Sequence, residues 1–110
     1  MARRYRVLVA QSAQADLREI GQYVARRDSA VAARRQLARL RTRIRRLSTT
    51  PGGGRVPPEL GERGIRTWLE AVVGPWRIVY RIERRVVYVL AILDGRRDLS
   101  ELLLRRLTRP

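Results

Sequence analysis

Apolar residues recur along this chain with two different periods, and the switches between them divide it into elements. Arg4-Tyr5-Arg6-Val7-Leu8-Val9 alternates, with Tyr5, Val7 and Val9 on one side, and predicts a strand over residues 4–10. The period then lengthens. Ala13, Leu17, Ile20 and Val24 fall at helical spacing, predicting a helix over 13–26 with Ser12 as N-cap and Asp16 near the positive end of its dipole. Ser29 opens a second helix to about Leu47, whose apolar positions Ala30, Ala33, Leu37, Leu40, Ile44 and Leu47 step by three and four residues. That seam fits a two-helix hairpin, and at under three heptads it is short for an intermolecular coiled coil.

Residues 50–58 show no periodicity and include Gly52-Gly53-Gly54, a loop signature. No strand precedes this triplet and no Gly-Lys-Ser/Thr follows, so it is not a P-loop. Gly64 to Glu70 alternates again, with Ile65, Thr67 and Leu69 opposite Arg66 and Trp68, and predicts a strand. Two denser β-branched and aromatic runs follow, residues 74–82 and 86–93, joined by Glu83-Arg84-Arg85 at hairpin length. In the first run Trp76, Ile78, Tyr80 and Ile82 share one face, and Arg77, Val79 and Arg81 the other. The second is apolar on both faces, as an interior strand is. Strict alternation there groups Val86, Tyr88, Leu90 and Ile92 against Val87, Val89, Ala91 and Leu93. Asp98 or Ser100 then caps a last helix holding Leu102, Leu103 and Leu107, and Thr108-Arg109-Pro110 forms a tail.

The expected fold is therefore α+β in a single domain over residues 1–110: an N-terminal strand, a two-helix hairpin, a three-stranded antiparallel meander and a short C-terminal helix. One sheet face packs on the hairpin and the other stays partly open.

Charge changes the picture. The 110 residues carry 25 basic side chains, all arginine, against 10 acidic ones, for a net charge of +15. Such an excess calls for a polyanionic partner, nucleic acid or an acidic protein, and arginine favours bidentate contacts to phosphate or carboxylate. No Asp or Glu occurs between Ser29 and Pro58, so the second helix repels itself electrostatically. With no cysteine and no histidine, thiolate and imidazole metal sites, cysteine nucleophiles and a Ser-His triad are excluded, and no cofactor or metal is expected. No apolar run reaches the length of a membrane span, which points to a cytoplasmic protein without membrane contact.

The candidate working surface is the set Arg66, Arg77 and Arg97, expected to converge on the open face of the sheet, where a meander sets Arg66 close to Arg77. The competing reading for Arg77 is an ion pair with Glu70 or Glu59. Arg81, Arg96, Arg35, Arg39 and Arg46 are the candidate contacts for an acidic partner. Tyr80 and Tyr88 share parity with core-facing residues, and Asp94 and Asp98 sit in a turn where capping explains them.

Several marks coincide in order and spacing: Tyr5-Arg6-Val7, Ala15-Asp16-Leu17 with Ile20 and Tyr23-Val24-Ala25, Leu47 with Pro51, Gly64-Ile65-Arg66, Trp76-Arg77-Ile78-Val79-Tyr80-Arg81 and Leu93-Asp94-Gly95-Arg96-Arg97-Asp98-Leu99. Over essentially its whole length the chain resembles the RelE/ParE superfamily of toxins from bacterial toxin–antitoxin modules. The resemblance implies a small toxin that arrests growth until an acidic, partly disordered antitoxin segment folds over it, as a toxin–antitoxin hetero-oligomer. RelE-type members cut mRNA in the ribosomal A site, whereas ParE-type members poison DNA gyrase. Arg77 matches the strand arginine of the RelE-like site, Arg97 the arginine after the last strand, and Arg66 lies where RelE-like sequences often carry lysine. The RelE-like downstream tyrosine has no match, because Leu102 and Leu103 occupy that neighbourhood. Without it, and without His or Lys, proton transfer has no evident carrier. The Asp-Gly-Arg-Arg-Asp-Leu run is closer to ParE-type sequences, so gyrase poisoning is expected, with ribosome-dependent mRNA cleavage as the alternative.

Overall fold

The computed structural model describes residues 4–108, and side chains through Arg106. Leu107, expected on the apolar stripe of the last helix, and the tail of residues 109–110 lie outside the described side chains.

Strand β1 (Arg6–Val9) leads into α1 (Gln11–Arg27) and α2 (Ala30–Arg46), the predicted helical hairpin. A short 3-10 turn (Pro51–Gly53) and a one-turn helix α3 (Pro58–Gly61) cross to β2 (Leu69–Val73), β3 (Trp76–Glu83) and β4 (Val86–Asp94), and α4 (Leu99–Thr108) closes the order. The sheet order is β1-β4-β3-β2: β2, β3 and β4 form the antiparallel meander, and β1 pairs parallel with β4. Among the described residues no helix is long and apolar enough to cross a membrane.

Local chemistry explains the helix starts unevenly. The Ser29 hydroxyl accepts from the Ala32 N–H at 3.0 Å, capping α2 as expected. Ser12 does not cap α1, which begins two residues earlier than expected, at Gln11 after Ala10, without a side-chain cap. Its hydroxyl instead donates to the Leu90 carbonyl at 3.2 Å. Asp16 is likewise not there for the helix dipole. It accepts from the Ile92 N–H at 3.0 Å and from both Arg106 Nη atoms at 2.7 Å, tying α1 to β4 and α4. Asp98 accepts from the Ser100 N–H at 2.8 Å at the head of α4.

Two apolar layers flank the sheet. Leu17, Ile20, Val24, Leu40, Ile44 and Leu47 of the hairpin pack on Ile78, Tyr80, Val87, Val89 and Ile92. On the far side Leu60, Trp68, Leu99, Leu102 and Leu103 cover Val79, Ala91 and Leu93, so that face is less open than the strand pattern suggested. Strict alternation fails in β4. Tyr80 opposes Val89 and Val79 opposes Ala91, leaving Leu90 as the extra residue of a bulge. Val87 and Val89 therefore join Ile92 on the helix side, while Ala91 and Leu93 face α4. Tyr88, opposite Arg81, is turned away from the helical hairpin and lies on the Trp68 side of the sheet.

Candidate functional site

The expected strand at 64–70 is displaced. Gly64, at φ +76°, ends the turn after α3, and β2 starts only at Leu69. The tight turn at Gly74, at φ +56°, folds Leu69–Val73 and not the Ile65/Thr67 alternation onto β3, and the same register buries the Glu70 carboxylate among arginines. Arg66 precedes the ladder, exposed, and the residue opposite Arg77 is Val72. Arg66 and Arg77 do not converge.

Arg77 and Arg97 do line one cleft of about 790 Å³, between the α1–α2 turn, α3 and the turn from β4 to α4. Its floor is Trp76, whose indole N–H donates to Gln36 Oε1 at 2.8 Å, and Arg77. Tyr23, Arg27, Arg55, Glu59, Arg96 and Arg97 stand around it.

Arg77 is only 6% exposed, and its donors are turned inward. Nε donates to Glu70 Oε1 at 2.5 Å, Nη1 to Glu59 Oε2 at 2.9 Å and to the Arg97 carbonyl at 3.2 Å, and Nη2 to Glu59 Oε1 at 2.7 Å. The competing reading of Arg77 thus holds with both acids at once. Glu70 takes a second guanidinium, Arg55 Nε, at 2.8 Å, and Glu59 Oε2 also accepts from the Leu99 N–H at 3.2 Å. The network joins β2, β3, α3, residue 55 and the first turn of α4. Its charges hold one another ionised: the Arg77 hydrogen bonds hold the Glu59 carboxyl at about 2, against burial that pushes it up. The Glu59 hydrogen bond in turn raises the Arg77 pKa.

The tyrosines divide. Tyr80 is fully buried. Its hydroxyl donates to the Pro51 carbonyl at 2.6 Å and accepts from the Gly54 N–H at 3.1 Å, and burial raises its pKa. It therefore clamps the glycine loop instead of facing a substrate. Gly54 has no room for a side chain, since a Cβ there would collide with the Tyr80 hydroxyl and lie 2.6 Å from the Glu70 carbonyl oxygen. Tyr88 stacks on Arg81, whose guanidinium also lies over Trp68, with ring distances of 5.0 and 5.8 Å. Arg81 pairs with Glu83 at 3.0 Å as well, and belongs to the sheet end away from the cleft. Tyr23 is the tyrosine that sequence reasoning did not single out. It is exposed at the rim, and its hydroxyl accepts from Arg27 Nη1 at 3.1 Å. Its helix position one residue before buried Val24 puts it at the edge of the apolar stripe, which was the available signal.

Arg96 projects into solvent and holds Asp94, whose pKa is lowered first by the Arg96 N–H at 2.9 Å. Arg35, Arg39 and Arg46 line a separate groove with Arg43, Thr42 and residues Val72, Val73 and Gly74 of the β2 end. Among the described residues no carboxylate pairs with any of these α2 arginines.

A four-stranded sheet with a helical hairpin on one face, a short C-terminal helix on the other and an arginine-lined cleft at the strand ends defines the class: small toxins of bacterial toxin–antitoxin modules. The comparisons agree with it. The model of the ParE toxin of type II toxin–antitoxin systems, parDE, matches residues 7–99, and the chain belongs to that family. It is 34% identical over 95 residues to Toxin ParE3 of Caulobacter vibrioides, covering 86% of this chain and 91% of that protein. Among solved structures it resembles a chain of the chromosomal ParDE toxin–antitoxin system of P. aeruginosa, with TM-score 0.70, 14% identity, and 84% and 98% of the two chains covered. A chain of the toxin–antitoxin complex RelBE2 of Mycobacterium tuberculosis shares the fold more loosely, with TM-score 0.57, 20% identity, and 83% and 91% covered.

Proposed function

We propose that this toxin arrests growth by poisoning DNA gyrase and not by cutting mRNA. The observation that carries the reading is the state of Arg77. The position matching the strand arginine of a RelE-like site has its donors taken by Glu59, Glu70 and the Arg97 carbonyl, so it is not presented to a phosphate. What the cleft does present, Arg97 and Arg96 together with Arg27, which the sequence pattern did not single out, suits gripping an acidic protein surface or phosphates, not shuttling a proton. Arg66, off the cleft, is left as an outlying contact. In the test, purified toxin is incubated with gyrase and supercoiled plasmid, and protein is then denatured. Accumulated linear DNA is expected. Intact plasmid, together with codon-spaced cuts in mRNA on programmed ribosomes, overturns the proposal.

One observation favours the nuclease alternative. Tyr23 at the cleft rim, beside Arg27, is a hydroxyl among cations, the kind of proton carrier that the sequence pattern lacked. Tyr23→Phe separates the readings, since it abolishes mRNA cleavage if that reaction exists and leaves gyrase poisoning in place.

We further propose that a cognate antitoxin neutralises the chain with an acidic segment that orders on binding. Arg35, Arg39 and Arg46 along the groove beside β2, with Val72 exposed in its wall, offer charge and apolar area together, and exposed Arg96 extends the contact. Arg81, stacked and paired at the other end, contributes less than the sequence pattern suggested. A cognate antitoxin, sought in a neighbouring reading frame, should form a complex whose association slows in Arg39→Gln. An unchanged rate sinks this placement.

A further inference from the structure

We infer that α2 is a duplex-DNA-binding helix, lying in the major groove with arginines on both walls. Two observations outside the cleft carry this. The first is the distribution of charge. The ten acidic residues leave the stretch from Ser29 to Pro58 empty, and among the described residues no ion pair involves α2: the pairs lie on residues 16, 55, 59, 70, 77, 81, 83, 94, 96 and 106. Among the described residues the arginines of α2 have no carboxylate partner, while their helix is one of the outer layers of the molecule.

The second is where those arginines stand around the helix. At roughly 100° per residue, and with buried Leu40 marking the core direction, Arg39, Arg46 and Arg35 lie about 100–140° to one side. Arg41, Arg34 and Arg45 lie about 100–140° to the other. All six are exposed. Between the two rows come the short, exposed side chains Ala38 and Thr42, and Arg45 Nη2 leans over to donate to the Thr42 hydroxyl at 3.1 Å. The rows are thus separated by about one helix diameter, ~10–12 Å, and each runs along some 15 Å of axis. An acidic peptide is a single line of charge and would follow one row, such as the groove beside β2. Duplex DNA offers two phosphate rails flanking a major groove about 12 Å wide, which admits an α-helix whose outward residues are small. Two rows astride a low ridge fit the rails.

The surface is separate from the cleft and stands whether or not gyrase is the target. It also places Arg35, Arg39 and Arg46 under competition between DNA and the antitoxin segment.

The test is fluorescence anisotropy of the full chain on a labelled duplex of about two helical turns, ~20 base pairs, with a poly-glutamate peptide as the rival ligand. Six phosphate contacts predict a slope of log K against log salt near −5, at about −0.9 per contact. Arg34→Gln/Arg41→Gln/Arg45→Gln should reduce that slope by about 3. Ala38→Trp/Thr42→Trp, which adds bulk without charge, should weaken duplex binding at least tenfold. Arg6→Gln/Arg63→Gln/Arg85→Gln removes the same charge from other surfaces and should change affinity far less. Thermal midpoints near the parent's show that each variant folds. The inference is overturned if the control triple weakens binding as much as the α2 triple, which would mean charge alone. It is overturned too if the tryptophans leave the duplex bound as before. Loss of poly-glutamate binding equal to loss of duplex binding in the α2 triple would assign the surface to an acidic protein instead.

Discussion

Arg77 and Arg39 are the same residue type about 40 positions apart, yet they are opposite in circumstance. Arg77 sits on the sheet at 6% exposure between two carboxylates that neutralise it. Arg39 sits on α2, exposed, beside other cations and without an acid. The difference arises from the carboxylates. Glu59 and Glu70 convert the sheet arginine into a cross-link, whereas the acid-free stretch from Ser29 to Pro58 leaves Arg39 and the other exposed α2 arginines to external anions. In a chain this basic, the few acids identify the structural arginines by elimination.

The comparison breaks first, and hardest, at the buried network. Arg77→Ala strands Glu70, which is 1% exposed, with Arg55 alone, and the loss of stability should reach about 3–5 kcal/mol. A urea midpoint close to the parent's would mean that Arg77 is not a cross-link and would return it to the list of working residues. Gly54→Ala strikes the loop below it. The added methyl meets the Tyr80 hydroxyl and the Glu70 carbonyl, and overpacking of this kind costs about 1–3 kcal/mol. Thermal melts of Gly54→Ala and Tyr80→Phe separate the collision from the loss of the clamp.

A gentler probe is pH. The Glu59 carboxyl is depressed to about 2 in the folded chain from an ordinary value near 4.5, so folding favours its ionised form. The stabilisation is complete above about 4.5 and declines as pH falls towards 2. Denaturation midpoints should therefore drop steeply across that window in the parent. In Glu59→Gln they should start lower and drop less. Equal slopes would remove Glu59 from the network. The smallest effect belongs to the other pole. Arg39→Gln should leave stability within about 0.5 kcal/mol while slowing antitoxin association, and a markedly destabilised variant would show that α2 has an internal partner after all.

Much of this fold was legible because hydrophobic period alone determines it. The hairpin's Leu17, Ile20, Leu40 and Ile44, the Ser29 cap and the pair of long strands are all local patterns. The errors share a cause, namely partners distant in sequence. Ser12 and Asp16 look like helix-start residues until β4 and Arg106 supply their bonds, 76 to 90 positions away. The bulge at Leu90 is invisible in a strand that is apolar on both faces, because a one-residue slip there exchanges one hydrophobe for another. It nonetheless reverses the facing of Tyr88. At the site, Arg77 and Arg97 could be paired from sequence, but that Arg66 precedes β2 and stands off their cleft could not be read until the register of β2 on β3 was seen. Tyr23 and Arg27 belong to a helix tip that reaches the cleft only in three dimensions.

The parallel pairing of β1 with β4 sets a clock on biosynthesis. Arg6 finds its register partner only when Val86 has been made, and at roughly 5–20 residues per second that interval is about 4–16 s. Until then the two helices have no complete sheet to lie on, and closing so long a loop is among the slower steps available to a small domain. A nascent chain of this topology therefore lacks its complete sheet for most of its synthesis. A partner segment present in that interval would meet a chain whose sheet is not yet closed.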